Sequence, residues 1–143
     1  MSRMIVSTAP AGLFGSLAEL LGRLLLATLY LVSGLGKITG YAATAAYMQS
    51  MGVPALALPL VIALELLGAF AIAVGWKTRA VALVMAVFTL FAALIFHHEL
   101  SDPTQQVMFF KNLAIVGGFL VLVAHGPGRL SFDARMRLRR RRI

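Results

Sequence analysis

Apolar residues run through this chain in four long blocks, at 17–36, 55–75, 80–97 and 107–125. A helix crosses the hydrocarbon core of a bilayer with about 20 mostly apolar residues, and each block is close to that. Turn-forming or polar residues separate the blocks: Gly36 to Gly40, Gly52-Val53-Pro54, Gly75-Trp76-Lys77-Thr78, Ser101-Asp102-Pro103 and Gly126-Pro127-Gly128. The connection 37–54 is long for a helix bundle, and its middle, 41–51, is apolar enough for a short interfacial helix. The pattern predicts an all-α polytopic membrane protein, a four-transmembrane-helix bundle at 17–127. An N-terminal segment 1–16 precedes it and a tail 128–143 follows. A competing pattern is a signal-peptide core at 24–35 with Ala43-Thr44-Ala45 as a small-residue cleavage site. The long leading region, which contains the acid Glu19, argues against it.

Composition agrees with a membrane body. Hydrophobic residues make up 60% of the chain and charged residues 13%, where a soluble domain has about 45–50% and about 25%. The net charge of +8 suggests nucleic acid until it is located. From Arg129 onward there are seven Arg and one Asp, while the rest of the chain holds six basic and four acidic residues. A basic tail leaving a membrane helix reads as an anchor at an anionic leaflet, worth about 1 kcal/mol per basic side chain. The bilayer is thus the expected partner, and nucleic acid is not. Arg3, the Lys77–Arg79 loop and the tail fall on one side, and Lys37 and Lys111 with Glu99 and Asp102 on the other. The positive-inside rule then puts both termini in the cytoplasm and Trp76 at an interface.

The chemistry is first narrowed by absences. The chain has no cysteine, which excludes disulfides, iron–sulfur ligation and covalent c-type haem. It has no phosphate-binding glycine loop, dinucleotide fingerprint or zincin motif. No intrinsic cofactor and no metal site are expected.

What remains are ionisable residues inside the apolar blocks: Glu19 and Arg23 in the first, Glu65 in the second, Lys111 with Asn112 in the fourth. Each charge costs about 2.5–3.5 kcal/mol at a helix centre, so such groups face the bundle interior and pair. Glu19 and Arg23 are spaced i, i+4 in the favourable order. Counted from the block ends, Arg23 lies roughly 9 Å and Glu65 roughly 15 Å in from the cytoplasmic side. This predicts an Arg23–Glu65 contact and leaves Lys37, roughly 20 Å from Arg23 along the helix, out of first reach. Arg23, Tyr30 and Lys37 recur every seventh residue with Ala27 and Gly34 between them, and Lys111, Gly118 and His125 recur likewise. The expectation is a bundle-interior polar site of Arg23, Tyr30 and Glu65, with Thr89 near it; the alternative is a helix seam glued by an ion pair. A second cluster, His97, His98, Glu99 and Asp102, lies at the far end with Lys37 and Lys111. It could relay protons or hold a metal, but a solvated helix end is the commoner meaning. His125 is separated from His97 and His98 by roughly the 30 Å of the hydrocarbon core, so they cannot share a haem iron.

The run Arg23 … Ser33-Gly34-Leu35-Gly36-Lys37-Ile38 resembles the opening signature of the DoxX family. So do Glu65 followed by a glycine, Gly75 before Thr78-Arg79, and Phe110-Lys111-Asn112-Leu113. The likeness covers 17–127. It implies a four-helix bacterial inner-membrane protein related to the membrane subunit of thiosulfate:quinone oxidoreductase. Another member goes with a membrane redox complex containing a superoxide dismutase and a sulfurtransferase. By this resemblance Arg23, Gly34, Lys37, Glu65, Lys111 and Asn112 match the family pattern. The implied function is a membrane subunit that binds quinone and docks a peripheral redox protein, as a monomer or a homo-oligomer. A non-catalytic scaffold and a small carrier or channel are the alternatives.

Overall fold

The structure, a computed structural model, describes residues 12–140; Arg3 and the other residues of 1–11, and 141–143, lie outside the described residues. Six α-helices follow in order: α1 (Leu13–Thr39), α2 (Tyr41–Ser50), α3 (Leu58–Val74), α4 (Thr78–Phe96), α5 (Pro103–His125) and α6 (Phe132–Arg140), with a single 3₁₀ turn at Ala55–Ala57 leading into α3. Four helical segments are long and apolar enough to cross a membrane: Leu13–Thr39, Ala55–Val74, Thr78–Phe96 and Pro103–His125. They coincide with the four apolar blocks. The interfacial helix expected at 41–51 is α2.

One expectation about extent needs correcting. The first spanning helix starts by Leu13 instead of at residue 17, inside what the pattern set apart as an N-terminal segment. The tail is a helix, α6, for most of its length. Its Arg-rich sequence has no bundle-facing apolar face, so hydropathy alone does not mark it.

Local chemistry explains the helix ends. Gly75, at φ 74°, closes α3 in the left-handed conformation that a glycine adopts at least cost. Its N–H reaches the Ile72 carbonyl at 3.2 Å, and the Trp76 N–H reaches that of Ala71 at 2.9 Å. At the start of α5 the Asp102 carboxylate accepts from the Gln105 N–H at 2.9 Å, with Pro103 as the first helical residue.

The bundle is two helix pairs, α1 with α3 and α4 with α5, joined mainly where α3 meets α4. The joint is small-residue packing: Ala27, Ala69, Ala82 and Ala86 surround Tyr30, Ile72, Met85 and Phe119. Gly68 lets α4 in, since a Cβ there would fall 2.5 Å from Met85 Sδ. The buried residues of α1 are Ser16, Arg23, Ala27, Tyr30 and Gly34, which is the predicted stripe. The stripe predicted on α5 does not form a seam. Lys111 and His125 are exposed, and Phe119 is the fully buried residue there. Leu25, Val32, Leu67 and Phe70 point outward. A helix apolar on its outside as well as its inside suits lipid on one face and protein on the other.

Candidate functional site

Gly34 sets the α1–α3 distance. A Cβ on it would meet Leu66 Cδ2 at 2.7 Å and Glu65 Cβ at 3.5 Å, so the helices approach here as closely as glycine allows. Glu65 is thereby pressed against α1 one turn below Lys37. Helical side chains lean toward their own N-terminus, so Lys37 reaches back along α1. Its Nζ donates to both carboxylate oxygens of Glu65 at 2.9 Å and to Ser33 Oγ at 2.6 Å. The Ser33 hydroxyl donates to Glu65 Oε1 at 3.3 Å. All three ammonium protons are used. The Glu65 side chain is 5% exposed and that of Lys37 23%.

This overturns the predicted Arg23–Glu65 contact and seats Lys37 as the partner of Glu65. The depth count failed because it set the start of the first block level with the end of α3; Arg23 lies against the Ile72 and Ala73 carbonyls, so the start of α1 projects past the end of α3. There its guanidinium donates to the carbonyls of Ile72 at 3.1 Å and Ala73 at 2.9 Å, and to that of Leu130. It is 1% exposed and acts as a cap on the C-terminus of α3, where a cation also meets the negative end of the helix dipole. Among the described residues no hydrogen bond or salt bridge joins Arg23 to Glu19, which acts on it only through space, since the guanidinium's hydrogen bonds go to carbonyls.

Tyr30 lies between these two places. Thr89 Oγ1 donates to the Met85 carbonyl at 2.6 Å, so the Tyr30 hydroxyl donates to Thr89. Of the three residues predicted as one interior site, Tyr30 and Glu65 line one cavity, with Thr89 beside Tyr30 as expected, and Arg23 lies apart at the end of α3.

From Tyr30 and Thr89, which line its floor, the two helix pairs part around a cavity of about 510 Å³. Ser33, Lys37 and Glu65 form one wall, and Phe88, Phe91, Ile95 and Phe96 of α4 another. Lys111 and Asn112 reach it from α5 and His97 from the end of α4. Helix α2 covers the far end. Tyr47 stacks on Phe96 with ring centres 5.6 Å apart, and its hydroxyl donates to the Phe96 carbonyl at 3.4 Å. Pockets of this size that are mostly apolar with a few polar groups are the usual shape of small-molecule sites. Among the described residues Asn112 has no hydrogen-bond partner, and Lys111 donates to Met108 Sδ at 3.2 Å. His97 pairs through Nδ1 with Gln105 Oε1 at 2.7 Å, which leaves Nε2 outside that bond.

The far-end cluster resolves into helix-end chemistry. Asp102 caps α5, Glu99 accepts from Ser101, and His98 Nδ1 pairs with the Ile95 carbonyl at 3.0 Å. Among the described residues no three of these side chains converge as a metal site would require. Only His97 of this group reaches the cavity. Sequence reasoning missed Tyr47 and Phe96 as the lid contact. The short helix at 41–51 was the available signal, because a helix between two spans must lie on one of their ends.

Comparison with known proteins places the sequence in a family. The DoxX family model matches residues 18–98. The inner membrane protein YqjF of Escherichia coli (strain K12) is 50% identical over 114 residues, 80% of this chain and 88% of YqjF. Inner membrane protein YphA of the same strain is 33% identical over 124 residues, 81% of this chain and 88% of YphA. No solved structure matches.

Proposed function

The chain belongs to the DoxX family, and from that premise we propose that it is an inner-membrane protein, both termini cytoplasmic, that binds a quinone in the cavity beside Lys37 and Glu65. What supports this is the cavity itself: about 510 Å³, walled by phenylalanines and set among helices long and apolar enough to span a membrane, where an isoprenoid-tailed ring would arrive by lateral diffusion. A quinone ring offers flat apolar faces and two carbonyl acceptors. The aromatic wall suits the faces. Asn112 and Lys111 have donors to spare for a carbonyl, and Nε2 of His97 is left to pair with a quinol hydroxyl. The Lys37–Glu65 pair is saturated, so its part is electrostatic, a fixed dipole beside the ring. The chain has no thiolate ligand and no pair of histidines at one depth on facing helices for haem, so electrons would come from a docked peripheral redox protein. That makes it a membrane subunit of a redox complex.

Titration of the detergent-solubilised protein with a short-chain quinone tests this. Wild type binds saturably, and Asn112→Leu weakens binding about tenfold, the loss of one hydrogen bond near 1.4 kcal/mol. Equal and negligible binding by wild type, Asn112→Leu and Glu65→Gln would end the proposal and favour a scaffold without a ligand.

A further inference from the structure

The opposite end of the bundle carries a second, smaller concavity of about 280 Å³, lined by Trp76, Lys77, Asp133, Met136, Arg137 and Arg140. We propose that it is a binding site for the headgroup of an anionic phospholipid in the leaflet this end faces.

The site is built, not incidental. Asp133 ties α6 to the loop between α3 and α4. Its N–H donates to the Gly75 carbonyl at 2.9 Å, and its carboxylate accepts from Lys77 N–H at 2.8 Å and Thr78 N–H at 2.9 Å. Arg23 holds the Leu130 carbonyl just ahead of α6, and buried Ser131 caps that helix by accepting from the Ala134 N–H at 3.2 Å. Asp133, Met136, Arg137 and Arg140 are spaced i, i+3, i+4 and i+7, so one face of α6 turns to the loop. Lys77, held at φ 44°, sets its ammonium 5.0 Å above the Trp76 ring.

Charge complementarity chooses the occupant. Three cations face the concavity with one carboxylate, and both oxygens of that carboxylate are taken by backbone N–H groups. Among the described residues the cationic donors have no further carboxylate in the site, which suits a phosphodiester oxygen. The surroundings choose a lipid over a free ion. Trp76, Phe132, Met136 and Leu138 are all exposed at the same end. Apolar and aromatic groups interleaved with arginines suit α6 to the headgroup region.

Trp76 is the chain's one tryptophan, so it reports from inside the site. The full-length protein is placed in phosphatidylcholine bilayers containing phosphatidylglycerol, with either lipid brominated in its chains. Brominated phosphatidylglycerol is expected to quench Trp76 with at least about a fivefold preference, the contribution of one basic side chain near an anionic surface. The double variant Arg137→Gln/Arg140→Gln brings that preference to near unity. Lys77→Gln, on a separate element, lowers it as well, should the double variant unfold. Arg135→Gln/Arg139→Gln removes the same charge from another face of α6 and keeps the preference. Equal quenching by both lipids in wild type would overturn the proposal. So would equal loss in both double variants, which is diffuse attraction to the tail, and so would loss of the preference in excess inorganic phosphate at matched ionic strength, which is a free-phosphate site.

Discussion

At the scale of single residues, Glu65 and Lys37 hold opposite charges where lipid and protein give little dielectric relief. Their attraction offsets the loss of hydration only while both are present. Removing one partner of a buried pair strands the other and costs about 3–5 kcal/mol, whereas replacing both with apolar groups is near neutral. Lys37→Met should therefore lower resistance to denaturant in detergent sharply, and Lys37→Met/Glu65→Met should recover most of it. A double variant as unstable as the sum of both single ones would show that the pair is not coupled. Arg23 differs in kind. Its partners are carbonyls at the end of a helix, so its planar fork matters more than its charge, and a lysine could not reproduce the geometry.

At the scale of elements, glycine positions fix where helices touch. Gly34 against Leu66 and Gly68 against Met85 are close contacts that a Cβ would violate. Gly34→Val should push α1 from α3 and cost about 1–3 kcal/mol, the usual penalty of overpacking. Adding Leu66→Ala should return part of it, read by thermal unfolding in detergent. If the second change only adds to the loss, α1 and α3 are not in contact there. The helices themselves were legible in the sequence, because long apolar blocks between turn residues have few other folds. Which face each helix buries was legible on α1, where one arginine, one tyrosine and small residues align. It was not legible on α5, where lipid-facing and protein-facing residues are equally apolar and hydropathy carries no direction.

At the scale of the whole molecule, the bundle is closed at one end by its own tail. Arg23 of α1, the end of α3, the α3–α4 loop and α6 meet through Leu130, Ser131 and Asp133. Deleting 130–143 removes an acceptor of Arg23 and the carboxylate bound at the start of α4. Loss of a helix-capping carboxylate alone costs about 0.5–2 kcal/mol, and the truncated protein should melt measurably below both wild type and Asp133→Ala. Unchanged melting would mean that the tail contributes only to the surface. At the other end the helix pairs diverge, and the void between them is roofed by α2, which is short and joined to α1 through Gly40 alone.

The sequence by itself determined the class, the four spans, the short helix after the first and the residues of α1 that face inward. These follow from hydropathy and helical period, which are local. It could not determine which charges meet. Partner choice depends on the relative height of antiparallel helices, and an offset of a few residues moves a side chain by a whole turn or more. Only the packed bundle set that height, through Gly34, Gly68 and the cap that Arg23 places on α3. It thereby gave Glu65 to Lys37 and opened the cavity beside them.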